Sequence, residues 1–279
     1  MPGMRLAFSL VSATLLTTLA SAQAPAPTPA PASGFPWPEG RRAAVSLSFD
    51  DGRASQMDAG LPVLDGLGLK VTFYVVPSAI EKRQTAWRAA VQSGHEMGNH
   101  SLQHACTGNF AWSRQKALED YTLDRLDGEL QKAGAEIKRI TGVLPTTFAY
   151  PCGQTFIGRG ATTMSYVPLI NKRFLVGRLW LGETANDPAF VDLSQVHAVS
   201  MDDKDLPALL PMLETAIAQG RWLVLAGHDI GEQPGPYTTR VSLLRTLAPY
   251  LQASERNLWV APVGTVAQWI EKQTARPSR

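Results

Sequence analysis

The first stretch of the chain that reads as a buried strand is residues 43–49 (Ala-Ala-Val-Ser-Leu-Ser-Phe), which ends at Asp50. Residues 57–67 predict a helix closed by Gly68. Residues 70–76, β-branched and aromatic, predict a second strand stopped by Pro77. A helix is expected over 85–92, and residues 96–99 lead into a histidine-bearing segment. Residues 113–140 read as one long helix, with Ser113 as N-cap and Gly142 beyond its end. Further strands are expected at 146–150, 173–179, 196–201, 222–226 and 258–262, and further helices at 206–219 and 239–254. Strands that alternate with helices imply parallel βα units. About seven strands in one domain favour a barrel over an open sheet, although patterning does not close the circle.

The amino-terminal segment reads differently. Arg5 gives a positive start, residues 6–19 are apolar, and Ala20-Ser21-Ala22 is a small-residue cleavage site. This predicts a signal peptide over 1–22, cleaved near Ala22, against the alternative of a buried helix. The run is too short to span a membrane, and no later stretch is long and apolar enough to do so. Residues 23–38 are rich in Ala and Pro and predict an extended linker. A single catalytic domain is expected over 39–273, with a frayed basic tail at 274–279. The expected location is secreted or periplasmic. Of 279 residues, 44% are apolar, which suits one domain with a sizeable core; the net charge of +2 is too small to suggest nucleic acid as a partner. The only cysteines are Cys106 and Cys152; an exported location permits a disulfide without proving one.

The chemistry collects after predicted strands. Ser48-Phe49-Asp50-Asp51-Gly52, His100-Ser101-Leu102-Gln103-His104 and Leu225-Ala226-Gly227-His228 carry it, and Asp50-Asp51, Pro151-Cys152-Gly153 and His228 each follow a predicted strand, far apart in sequence. In an α/β fold they would converge at the carboxyl ends of the strands. One carboxylate and two imidazoles make a three-ligand metal site that leaves a position open for water, and a neighbouring carboxylate and a further histidine supply base and acid. Each segment also has a plainer reading. Asp-Asp-Gly is a common surface turn. His100 and His104, spaced i and i+4, share one face of a helical turn whether or not they bind a metal. His228 alone suits a satisfied core histidine. His95 and His197 lack such company and read as structural.

Residues 48–52 resemble the Thr/Ser-Phe-Asp-Asp-Gly motif of the polysaccharide deacetylases, the NodB-homology group of carbohydrate esterase family 4. Residues 94–104 are similar to that family's second motif, with His-Ser/Thr-x-x-His matched in full. Phe148-Ala149-Tyr150-Pro151-Cys152-Gly153 resembles the third motif, and residues 225–228 the last. The resemblance implies a distorted (β/α) barrel of about seven parallel strands and a metal-dependent hydrolase that removes N- or O-acetyl groups from a polysaccharide or oligosaccharide. It implies Asp51, His100 and His104 as ligands of Zn2+ (or Co2+ or Ni2+), Asp50 as base and His228 as acid. Asp202 falls where an acid orients that histidine, with Asp203 and Asp205 as rivals.

Two departures stand out. Ala149 occupies the place of the family's usual arginine, and Arg178 is the candidate to replace its charge beside Asp50. Cys152 replaces a tyrosine, but its backbone N–H still suits an oxyanion. Tyr150 and Gly153 complete the expected substrate-binding group. A Cys106–Cys152 disulfide would rigidify this region, against two unpaired thiols. Trp112, Tyr166, Trp180 and Tyr237 are candidates to stack on sugar rings or to pack in the core. Within the same fold a small-amide hydrolase, an acetyl xylan esterase or a non-catalytic glycan-binding relative remain as alternatives.

Overall fold

The structure, a computed structural model, describes residues 34–274. The expected signal peptide, the linker up to residue 33 and the tail from residue 275 lie outside them. Twelve strands follow in order: β1 (Ala43–Phe49), β2 (Thr72–Val75), β3 (Glu96–Asn99), β4 (Thr147–Ala149), β5 (Phe156–Ile157), β6 (Met164–Ser165), β7 (Val176–Arg178), β8 (Val199–Ser200), β9 (Trp222–Gly227), β10 (Asp229–Gly231), β11 (Thr238–Arg240) and β12 (Leu258–Val260). The helices are α1 (Leu61–Gly66), α2 (Pro77–Ile80), α3 (Gln84–Gln92), α4 (Leu123–Thr141), α5 (Val167–Arg173), α6 (Leu206–Ala218), α7 (Val241–Gln252) and α8 (Val263–Thr274).

Seven parallel strands form one curled sheet in the order β7-β4-β3-β2-β1-β9-β8, and β12 pairs with the first half of β1. A parallel bridge between Arg178 and Val196 ties β7 to the segment that leads into β8, so the sheet curls into the expected distorted barrel. β1 and β9 are buried along their whole lengths. That explains their continuous apolar runs, because a parallel sheet is covered on both faces. Val45, Leu47 and Phe49 pack outward with Phe73, Leu223 and Leu225 against α1, α3, α6 and α7. The alternate row of β1 packs with Trp37, Trp222, Val224 and α8 residues Val263, Val266 and Ile270. Trp37 is buried and its indole N–H donates to the Gly220 carbonyl, so packing begins inside the stretch whose composition reads as linker.

Two expectations are corrected. The helix expected over 113–140 is α4 alone, preceded by 3-10 turns at Ala111–Lys116 and Leu118–Asp120. Ser113 is not its cap: its hydroxyl bonds both the N–H and the carbonyl of Cys106, at 3.0 and 2.8 Å, and ties down that loop. Thr122 is the cap, accepting from the Arg125 N–H. The strand expected from residue 173 starts only at Val176, because residues 167–173 form α5.

Candidate active site

The mouth of the barrel is built where strands end. Ala44, Ser46 and Ser48 share one face of β1, and Asp50 continues that row. Its amide donates to the Gly227 carbonyl at 2.8 Å, which fixes it to the end of β9. Asp50 is 3% exposed, and its Oδ1 pairs with Nη2 of Arg178, which is fully buried at the end of β7. Arg178 Nη1 donates to the Leu179 carbonyl at 3.0 Å, and its guanidinium lies over the Tyr74 ring at 5.0 Å.

Asp51 is left-handed, at φ 74°, and Gly52 follows at φ 70°. This double reversal turns the second carboxylate to the same mouth, which an extended pair could not do. Asp51 Oδ1 lies 3.5 Å from His100 Nε2 and 3.3 Å from His104 Nε2. Burial opposes ionisation of Asp51, but the adjacent His100 and His104 imidazoles outweigh it and hold the carboxyl well below the usual carboxylate range.

The two histidines do not share a helical turn, which corrects that expectation. Ser101 has φ 65° and His104 φ 48°, and the segment is a loop. Asn99 Oδ1 accepts from the Ser101 N–H, and Ser101 Oγ accepts from the His104 N–H, so side chains take the bonds a helix would use. The curvature brings the rings to 4.8 Å. His100 Nδ1 donates to the Ala149 carbonyl at 2.9 Å, which leaves Nε2 free as an electron-pair donor. Burial, followed by the charge of His100, pushes the His104 imidazole pKa down and favours its neutral, donor form.

Asp51 Oδ1 is buried and, among the described residues, has no hydrogen-bond partner. An orphaned anionic oxygen facing two imidazole nitrogens is a donor set that suits a divalent cation. His104, Cys106 and Cys152 also cluster, but the sulfurs are joined in a disulfide with Cα atoms 6.1 Å apart and are not metal donors.

Opposite these groups stands His228. Its Nδ1 donates to Asp202 Oδ2 at 2.7 Å, and its backbone N–H donates to Asp202 Oδ1 at 3.1 Å. Thr239 Oγ1 donates to that same Oδ1. A Cβ on Gly227 would fall 2.8 Å from Asp202 Oδ1 and 2.2 Å from Thr239 Oγ1, so this close approach needs glycine. Burial works against the His228 imidazolium, but the Asp202 hydrogen bond and the charges of Asp50 and Asp51 outweigh it and raise the pKa. Among the described residues Asp203 pairs with no histidine, and Asp205 caps α6 through the Ala208 N–H. Trp180 and Tyr237 flank the His228 ring edge-on at 4.9 and 5.4 Å.

The rest of the expected set divides. Tyr150 is buried, with its hydroxyl donating to the Ser194 carbonyl, so its side chain does not reach the mouth. The Gly153 N–H is committed to the Tyr150 carbonyl at 2.9 Å. Cys152, at φ 55°, sits on the turn that follows β4. Tyr166 is buried with its hydroxyl on the Gln154 carbonyl, whereas Trp112 and Tyr237 are more than half exposed. Trp112 stacks on Phe110 and lies 5.9 Å from the His104 ring. Gln56 is a site residue that sequence reasoning missed. Fully buried, it donates through Nε2 to the carbonyls of Asp50 and His228 at 2.5 and 2.9 Å. Its sequence signal is slight: a glutamine shortly after Asp-Asp-Gly at the start of a helix.

A parallel barrel with an Asp/His/His donor set, a buried Asp–Arg pair and an Asp–His pair at one mouth defines an α/β domain with one candidate active site. The polysaccharide deacetylase family model matches residues 38–162, the stretch that carries Asp50, Asp51, His100 and His104. A Bacillus gellan lyase is 31% identical over 258 residues, covering 85% of this chain and 10% of that protein. Chitin deacetylase 1 of Cryptococcus neoformans is 26% identical over 191 residues, covering 67% and 37%. The chain thus spans a minor part of the length of either relative. Among solved structures, one from Mycobacterium smegmatis assigned to the polysaccharide deacetylases superposes with a TM-score of 0.59 at 18% identity, covering 90% of this chain and 98% of that one. A family 4 acetyl xylan esterase of Clostridium thermocellum, in complex with a cobalt ion, superposes with a TM-score of 0.52 at 20% identity, covering 84% and 93%.

Proposed function

We propose that this protein hydrolyses acetyl groups from a glycan, with a divalent cation held by Asp51, His100 and His104. The observation that carries the reading is the buried, unpartnered Oδ1 of Asp51 facing two Nε2 atoms, between an Asp–Arg pair and an Asp–His pair. A zinc-type ion there supplies Lewis-acid polarisation of the acyl carbonyl and makes water a better nucleophile near neutral pH. The cobalt in the esterase neighbour supports a borderline metal of this kind.

Asp50 accepts a proton from the attacking water, with Arg178 balancing and orienting its carboxylate. The Cys152 N–H, set on its turn by the disulfide, donates to the oxyanion. His228, kept protonated by Asp202, gives its proton to the departing amine or alcohol. Trp112 and Tyr237 offer exposed aromatic faces to the sugar on opposite sides of the mouth. Among the described residues no helix is long and apolar enough to cross a membrane. The disulfide, together with the pattern of residues 1–22, supports an exported enzyme.

The test is acetate release by the zinc-loaded protein, beside Asp50→Asn, on N-acetyl and O-acetyl glycans. Release that disappears in the variant supports the reading, and the responding substrate separates a deacetylase from an esterase. Metal uptake without release from any glycan would overturn it in favour of a small-amide hydrolase or a binding protein.

A further inference from the structure

The four residues after Asp-Asp-Gly send three side chains across the mouth to the loop that carries His228. Arg53 Nε and Nη2 both lie on Asp51 Oδ2, at 3.0 and 2.9 Å, and Nη1 lies 2.5 Å from Asp229 Oδ2. The other Asp229 oxygen accepts from Ser55 Oγ at 2.6 Å, and Ser55 Oγ in turn accepts from the Ile230 N–H. Tyr237 lies against the outer side of the guanidinium, 5.7 Å away.

We infer that Arg53 is the positioning residue of the Asp51 carboxylate: it occupies Oδ2 with two donors, leaves Oδ1 alone to face His100 and His104, and ties that orientation to the His228 loop through Asp229. The inference rests on the proposed metal-binding role of Asp51, His100 and His104. Its physical basis is the division of labour between the two oxygens. Among the described residues, no other side chain donates to Oδ2, while Oδ1 is buried and unpartnered. A carboxylate free to rotate would offer either oxygen in turn, whereas a carboxylate held by one edge presents the other in a fixed direction. Partners of this kind around a metal site set ligand orientation and affinity.

Stability is a poor alternative explanation. Arg53, Asp51 and Asp229 are each about a quarter to a third exposed, and ion pairs so placed contribute little to folding. The planar guanidinium matters because it bridges two carboxylates with three N–H groups. A lysine ammonium is a point charge on a flexible stem and cannot hold both in fixed geometry.

The experiment uses the full chain stripped of metal by a chelator and titrated with Co2+, with its visible absorption band as a record of ligand geometry. Wild type, Arg53→Met, Arg53→Lys and Asp229→Asn are compared, together with apo-protein melting. Arg53→Met is expected to bind Co2+ about 10–100-fold more weakly, with an altered band and an unchanged apo midpoint. Arg53→Lys should fall between it and wild type, and Asp229→Asn should show a smaller loss. Wild-type affinity and band in Arg53→Met overturn the inference, as does a lowered apo midpoint with affinity intact. Should Arg53→Met not fold, unchanged affinity in both Arg53→Lys and Asp229→Asn overturns it equally. A wild-type protein that takes up no Co2+ overturns the metal reading itself, and this inference with it.

Discussion

Arg178 and Ala149 are Cα partners on adjacent parallel strands, and the guanidinium of Arg178 pairs with the buried Asp50 carboxylate. Family resemblance leads one to expect an arginine at position 149. Here the charge comes from the neighbouring strand at the same level of the barrel, so the environment of the proposed base is rebuilt from a different position. Both partners are buried, and removing one strands the other. Arg178→Ala is expected to cost about 3–5 kcal/mol of stability and to abolish acetate release. Adding Ala149→Arg in the same chain should restore part of both, because the charge returns one strand away. Denaturant unfolding and acetate assays on the single and double variants check this; equal activity in wild type and Arg178→Ala would remove the pair from the mechanism.

The Asp202–His228 pair sets a pH dependence with a definite sign. The folded-state pKa of His228 is raised, with the Asp202 hydrogen bond leading the groups that raise it. As the proposed acid it would work protonated, so kcat/KM on N-acetyl substrates should fall as pH rises through that raised value. Asp202→Asn should move this alkaline limb to lower pH. Stability follows the same direction. The contribution of the pair is complete below the ordinary imidazole pKa of about 6.5 and is lost as pH rises through the raised folded-state value. Urea midpoints measured on both sides of that window should differ in wild type by more than in Asp202→Asn.

The disulfide joins the loop that carries His104 to the turn that carries the Cys152 N–H, across a sequence separation of 46. Cys106 also accepts from Ser113 through its carbonyl, so one short segment serves packing and site together. Reduction, or a Cys106→Ser/Cys152→Ser double variant, is expected to cost about 2–4 kcal/mol. It should also weaken metal retention, because the backbone around His104 loses its tether. Dialysis against a mild chelator, with and without reductant, measures this; equal metal content in the two arms would show that the loop holds its shape unaided.

Much of this arrangement is legible in the sequence because the chemistry sits at strand ends and the barrel strands are continuous apolar runs. What is illegible depends on bonds between distant residues. The spacing of His100 and His104 suggests a helical turn, yet Asn99 and Ser101 side chains divert the backbone into a loop that brings the rings together by another route. Ser113 has the composition of a helix cap, but Cys106 claims its hydroxyl. Tyr150 stands beside the site in sequence and is turned inward by the Ser194 carbonyl. α8 was not expected, although Val263, Val266, Ala267 and Ile270 carry a helical spacing that its burial bears out.

Gln56 gives the last prediction, and it concerns a residue that belongs to no recognisable motif. It lies in a π-helical turn, Gln56–Gly60, an irregularity often found beside functional sites. Its single Nε2 group satisfies the carbonyls of both Asp50 and His228, the proposed base and acid. Those two residues end neighbouring strands, and their separation depends on how the two turns are held together. Gln56→Leu retains the bulk and removes the donor, which leaves two carbonyls without this partner at about 1–3 kcal/mol each when buried. The expected result is a stability loss of that order together with a fall in kcat that exceeds any change in KM, since substrate contacts remain and only base and acid shift. Gln56→Glu keeps the shape and places a negative charge against two carbonyls, so it should be the more damaging change. Steady-state kinetics and urea unfolding on the two variants decide the point: a kcat equal to wild type in Gln56→Leu would mean that the strands alone fix the distance between Asp50 and His228.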